Sequence, residues 1–477
     1  MTFIVASLAL LLIVFITSLN WRITIKTILF FLVFEGALRK WLLPQASDLI
    51  YFLKDFLLIG AYLGYFSSPN NKYKLLFRNR FLNILVFLIS GWCLFQVFNP
   101  SLGSPLVGLL GLRSYLLYIP LMWMLPNLFL SKEELFDFIR LYLLLTIPIG
   151  LLGIAQFFSP ASSPINIYVP GEVSDVATFG STANVRIAGS FSYIAGYTIF
   201  LLIAFGLLIP ILSQKIQWIW LTIAELFLVV ANLFMTGSRG VAIAAGLILI
   251  GYLFFETLSH STKSFQTIKY LIIPILLVLL SVSIFFRPAV SAFWLRTTTV
   301  QDIPNRISVN LSQPFEFSQY KGLDGYGVGA THQAASRLRQ MLNLPEGEAI
   351  QTDYYEDEIG RITLELGLVG FLLWYVLRIS LLFALFRVYF QLQDLGLKRL
   401  ALSAFLIQST QIISTLVFNH TFVIYYWFLS GFIFLLPKLE RVERWRQAQQ
   451  LLATSEIFLD ASSGDAAYIP DPSNRQS

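Results

Sequence analysis

The sequence predicts an all-α fold, a polytopic transmembrane helix bundle of about 12–13 spans with one long extracytoplasmic loop carrying short helices. Three observations predict it. The 477-residue chain is 56% hydrophobic and only 13% charged, with a mean hydropathy of +0.71; soluble domains carry about 25% charged residues. Windows such as 3–19, 81–98, 199–212, 219–235, 241–255 and 271–286 are nearly chargeless, and several approach the ~20 residues that cross ~30 Å of hydrocarbon. One long, mostly polar stretch, 287–358, interrupts them. Loops of that length are usually functional or disordered.

Taken in order, the candidate helices are 2–19, 23–38, 48–66, 81–98, 106–129, 135–158, 189–212, 216–236, 240–257, 268–286, 359–388, 399–417 and 421–437. The first lacks the basic flank of a cleavable signal peptide and reads as a retained span. The second carries Lys26 and Glu35 near its ends and has a re-entrant alternative. The chain thus divides into a transmembrane domain, 1–437, the polar loop 287–358 within it, and a tail, 438–477. That tail opens as a charged helix with Glu440, Arg441, Glu443, Arg444 and Arg446 and ends in a polar run expected to be disordered.

Orientation follows from the short loops. Lys72, Lys74, Arg78 and Arg80, then Lys132, Lys215, Lys263, Lys398, Arg399 and Lys438, fall on one side by alternation. That side is expected to be cytoplasmic. The N-terminus then lies outside and the C-terminus inside, and loops 159–188, 237–240 and 287–358 face outward; Arg39 and Lys40 are the exception. The net charge of +6 is explained by this bias without nucleic acid. The single cysteine, Cys93, allows no intramolecular disulfide.

Several polar residues interrupt this pattern. Thr236-Gly237-Ser238-Arg239-Gly240 is a turn between two chargeless helices. Its glycines permit close backbone approach, and Arg239 offers a fork suited to phosphate beside a helix N-terminus. The alternative is an interfacial arginine snorkelling to headgroups. Arg186, in Arg186-Ile187-Ala188-Gly189-Ser190-Phe191, likewise precedes a helix among small residues. Arg113, early in its helix, is a charge inside a span and therefore functional or paired. Glu225 falls under the same rule, as do Lys54 and Asp55, read as a mutually compensating structural pair.

In the long loop, His332 is either a base poised near neutral pH or a solvated side chain. It follows Gly325-Tyr326-Gly327-Val328-Gly329, whose alternate glycines suggest a flexible approach to a ligand. His260 and His420, at opposite faces, offer it no metal cluster. Glu358, Arg361 and Glu365 share one helical face, as an ion-pair ladder or a site. Glu356 and Asp357 precede them at the helix N-terminus, and Glu356 or its neighbours can serve as general base. No nucleotide-binding loop, metal-ligand spacing or cofactor motif is found.

The chain resembles the O-antigen ligase and O-antigen polymerase superfamily of bacterial membrane glycosyltransferases. The likeness rests on the Arg239 turn, the Arg186 helix start, and Gly325–Gly329 followed by Leu364-Glu365-Leu366-Gly367-Leu368-Val369-Gly370, over roughly 180–375. It implies metal-independent glycosyl transfer from an undecaprenyl-diphosphate-linked oligosaccharide, at the outer face of a bacterial cytoplasmic (inner) membrane, within a polysaccharide assembly pathway. Arg239 and Arg186 would hold the diphosphate, helped by Arg113 or Arg361. Glu356, Asp357 or His332 would serve the proton, and Glu365 would support the helix face. The family pattern has a histidine eleven residues before Gly367; this chain has Glu356 there. Polymerase is therefore preferred to ligase, and a glycan or lipid transporter is the alternative.

Overall fold

The computed structural model describes residues 2–68, 80–169, 176–180, 184–212, 219–258, 262–299, 303–352 and 357–464. Apolar runs inside a membrane must satisfy every backbone group internally, so they fold as helices. The helices are α1 Thr2–Leu19, α2 Trp21–Ala37, α3 Ser47–Ser67, α4 Arg80–Val97, α5 Pro105–Leu116, α6 Leu121–Leu128, α7 Lys132–Leu143 and α8 Thr146–Phe158. They continue as α9 Ile194–Leu212, α10 Ile219–Met235, α11 Arg239–Leu258, α12 Thr262–Phe285, α13 Arg287–Thr299, α14 Ile303–Lys321 and α15 Ala335–Leu342. The last are α16 Glu358–Gln391, α17 Leu395–Thr410, α18 His420–Ser430 and α19 Phe432–Gly464. Among the described residues no strand occurs, and Thr178 and Val185 form an isolated bridge.

The protein is an all-α, multi-pass bundle. Every expected stretch contains a helix, but among the described residues seven are long and apolar enough to span by themselves, or ten with the bent pairs included. α1 and α2 meet at 117°, making one bent unit of two expected spans. α17, at 16 residues, is shorter than its sequence stretch suggested. α9 and α18–α19 form the centre, each 89% buried over its apolar window, against 33% for α11 and α16. Those outer helices, with α1, α4 and α12, present bare apolar side chains such as Phe15, Phe87, Leu280 and Phe383. An apolar surface this extensive belongs in lipid.

The stretch 287–358 is not a bare loop. α13 turns 93° from α12, α14 runs for 19 residues packed along α16, and α15 packs on α5. α16 is broken at Gly367, whose φ of +65° favours glycine. The carbonyls freed there are taken up at once. Leu364 O accepts from Tyr326 N (2.6 Å), Glu365 O from Gly327 N (3.0 Å) and Leu366 O from Trp92 Nε1 (2.9 Å). The Gly325–Gly329 segment is thus wedged into the break. A Cβ on Gly111 would lie 2.3 Å from Gly329 N, so backbone rests on backbone. These glycines serve close packing, which corrects the expectation of a flexible segment.

Candidate functional site

Two groups of polar residues stand out. The first is built around Arg186. Residues 177–179 pair with 184–186, Phe179 N donating to Asn184 O (3.1 Å) and Arg186 N to Ala177 O (2.8 Å). Arg186 Nε then donates to Thr236 O (3.0 Å), tying this paired stretch to the turn that carries Arg239. Gly237, at φ +64°, is needed because a Cβ would lie 2.9 Å from the Phe179 ring and 3.1 Å from Arg186 Nε. Arg296 from α13 completes the group. Burial first, then the charges of Arg296 and Arg239, push the Arg186 guanidinium down from its ordinary pKa. Three cations from three distant segments therefore share one neighbourhood.

The second group is a buried belt between α2, α3, α5, α16 and α18. Lys54 Nζ lies 2.7 Å from Glu35, and Arg39 Nη1 lies 3.7 Å from the same carboxylate. Asp55 receives Arg113 Nε at 2.6 Å and Tyr118 OH at 2.6 Å. Lys54 and Asp55 therefore do not compensate each other. Neighbours in a helix point apart, and each finds a partner on another helix. Arg39 also donates to Ser47 Oγ and Ser192 Oγ, and Lys40 donates to Gly189 O (2.9 Å). Both are buried in the belt, which explains why they break the loop-charge pattern.

The α16 face does not form the expected ladder of neighbouring ion pairs. Buried Glu358 binds Arg378 (3.0 Å) and accepts from the backbone N–H groups of Leu416 and Val417. Glu365 accepts from Thr331 N (2.9 Å), Thr331 Oγ1 (2.7 Å) and Tyr115 OH (3.0 Å). Arg361 donates to Thr331 O (2.6 Å) and stacks 3.5 Å from the Phe418 ring centroid. These bonds fix the loop bearing His332. Its Nδ1 accepts from Ala334 N (3.1 Å), which leaves the ring proton on Nε2. Burial, with Arg113 and Arg361 nearby, pushes its pKa down to about 3. His332 is thus a buried neutral donor, neither solvated nor poised near neutral pH.

Sequence reasoning set His420 aside as a metal ligand and gave it no other role, yet its ring lies 6.1 Å from that of His332 and 5.4 Å from Tyr51. It noted Arg296 only as one of the long loop's cations and missed Tyr51 and Tyr118. Of the residues expected to act, Glu356 lies outside the described residues, as do His260 and the cluster of Lys72, Lys74 and Arg78. Asp357 stands at the N-cap position of α16, half-buried. Among the described residues no group of three or more His, Cys, Asp or Glu side chains is placed to hold a metal ion.

Fold and site together define a multi-pass, membrane-embedded helical protein with a buried polar centre. No protein family and no curated protein matches the chain.

Proposed function

We propose that this protein polymerises or ligates undecaprenyl-diphosphate-linked oligosaccharide at the outer face of a bacterial cytoplasmic membrane. The observation that carries the reading is the gathering of Arg186, Arg239 and Arg296 at one place in a membrane-embedded bundle. Clustered guanidinium groups suit a departing diphosphate, whose charge grows as the sugar–oxygen bond breaks. In this reading an acceptor hydroxyl attacks the anomeric carbon. Its proton passes to Glu356 or Asp357, and the electron pair of the breaking bond leaves on the diphosphate. His332, with its proton on Nε2, serves as a donor beside the reacting groups. Arg113, Arg361 and Glu365 shape the belt behind them. The N-terminus is placed outside and the C-terminus in the cytoplasm by the loop charges.

Surface polysaccharide from cells carrying Arg239→Ala is expected to lose its long chains, with at least about a tenfold drop for a lost charge-assisted contact. Glu356→Gln is expected to do the same if it is the base. Normal polysaccharide in Arg239→Ala cells, at normal protein levels, removes the catalytic reading.

A second reading, transport of a glycan or lipid, is favoured by ion pairs inside the bundle. Arg140–Glu225 (2.5 Å) and Arg399–Glu256 (2.6 Å) join separate helices, and Arg378–Glu358 (3.0 Å) joins the two halves of α16 across its break. Lipid-linked oligosaccharide that accumulates on the inner leaflet when Arg378→Gln is introduced would favour it; accumulation on the outer leaflet would favour glycosyl transfer.

A further inference from the structure

α19 leaves the bundle with one bare side. It is buried through Leu439 and Glu440, and from Arg444 to Leu452 every residue is exposed. Arg441, Arg444, Trp445, Ala448, Leu451 and Leu452 fall at i, i+3, i+4, i+7, i+10 and i+11, so they share one side of the helix. Trp445 is 63% exposed, Leu451 72% and Leu452 64%. A continuous apolar side of this kind marks a surface that another phase or molecule covers.

The remaining sides are already engaged. Glu440 accepts from Gln393 N (2.5 Å) and Asp394 N (2.7 Å). Arg446 reaches Glu443 (3.1 Å) and Glu133 at the start of α7 (3.5 Å). These contacts set the rotation of the helix, and the bare side faces away from α7.

The charges on α19 say what covers it. Arg444 pairs with Glu440 (3.0 Å), whereas Arg441 donates to Pro437 O (3.0 Å) and meets no carboxylate among the described residues. Glu443 lies on the opposite side. A helix with arginine, tryptophan and leucine on one side and its acid on the other suits the headgroup layer of an anionic bilayer. The indole sits at the interface while the guanidinium groups reach the phosphates. A second copy docked twofold on the same side would set arginine against arginine.

We propose that the Arg441–Leu452 stretch of α19 is an interfacial helix that lies on a bilayer surface rich in anionic phospholipid. Pro437, one turn before it, removes a helix hydrogen bond and supplies the hinge for the lean. The stretch runs about 17 Å along the axis. Upright, it would carry Leu452 beyond a headgroup layer about 5–8 Å deep, so depth separates a helix that lies down from one that stands. This inference does not depend on glycosyl transfer.

Cys93 is buried, so full-length Leu452→Cys or Gln450→Cys protein offers one accessible thiol for a nitroxide. Each is reconstituted in nanodiscs of phosphatidylcholine alone or mixed equally with phosphatidylglycerol. In mixed discs the Leu452 label is expected to be reached by oxygen rather than by a water-soluble nickel complex. The Gln450 label, on the other side of the helix, should be reached by nickel. Phosphatidylcholine alone should lower the seated population at Leu452. Arg441→Gln should cut the ratio of seated to free helix in mixed discs about fivefold, and Arg441→Gln with Arg444→Gln should cut it further. Nickel access at Leu452 in both lipids, or seating indifferent to lipid charge and to both arginines, overturns the proposal. So does dipolar broadening between Leu452 labels on two copies, which assigns the bare side to a second copy. The readout is helix depth, so it stands or falls separately from the polysaccharide phenotype of Arg239→Ala.

Discussion

At the scale of single residues, partners decide what each charge does. Asp55 is held by Arg113 and Tyr118, at 2.6 Å each. Asp55→Ala leaves a buried guanidinium uncompensated and should cost about 3–5 kcal/mol. Double-mutant cycles should show strong coupling between Asp55 and Arg113 and weak coupling between Asp55 and Lys54; the reverse would contradict the pairing. His332 gives a pH signature. Its folded pKa, about 3, lies below the ordinary value near 6.5, so between these values the unfolded chain binds a proton that the folded chain refuses. Stability should therefore be fully present above about pH 6.5 and fall as the pH drops towards 3, by up to about 1.4 kcal/mol per unit. Thermal midpoints of His332→Asn should decline less steeply than those of the parent over pH 7 to 5. Equal slopes would show that the imidazole is not held neutral.

At the scale of elements, the break in α16 at Gly367 is held open by the 322–329 segment, and this segment is held against α5 by glycine. Gly329 and Gly111 leave no room for a methyl group, since Cβ atoms there would lie 2.7 Å from Val107 O and 2.3 Å from Gly329 N. Gly111→Ala should cost about 1–3 kcal/mol through overpacking, and Gly329→Ala more, because its φ of +89° adds backbone strain. Gly246, inside α11 with open space around it, is the control. Its change to Ala should be neutral or stabilising by about 0.5–1 kcal/mol. Melting temperatures of the three variants in one detergent check this ordering. Helix formation itself was legible, because long apolar runs have no other way to satisfy their backbones in lipid. The break was not legible as a break: Gly367 sits in an apolar pattern that reads as continuous helix.

At the scale of the whole molecule, α9 and α18–α19 are central and the remaining spans surround them. The proposed orientation can be tested directly, because Cys93 is the single cysteine and is buried. In a Cys93→Ser background, a cysteine at exposed Arg337 should react with a membrane-impermeant maleimide in intact cells. A cysteine at exposed Arg446 should react only after permeabilisation. The opposite pattern would invert the protein and move the arginine group to the cytoplasm.

The sequence by itself determined the all-α, membrane-embedded class, since apolar run length is a local property that the bilayer reads directly. It also singled out Arg186 and Arg239, because an arginine beside glycine at a helix start is visible in a few residues. Only the tertiary structure decided which polar residues meet. It gave Lys54 to Glu35 and Asp55 to Arg113, set His332 against His420, and brought Arg296 to Arg186. A buried charge takes the nearest group that offsets its lost hydration. In a bundle that group usually lies on another helix, at a separation along the chain that no local pattern records.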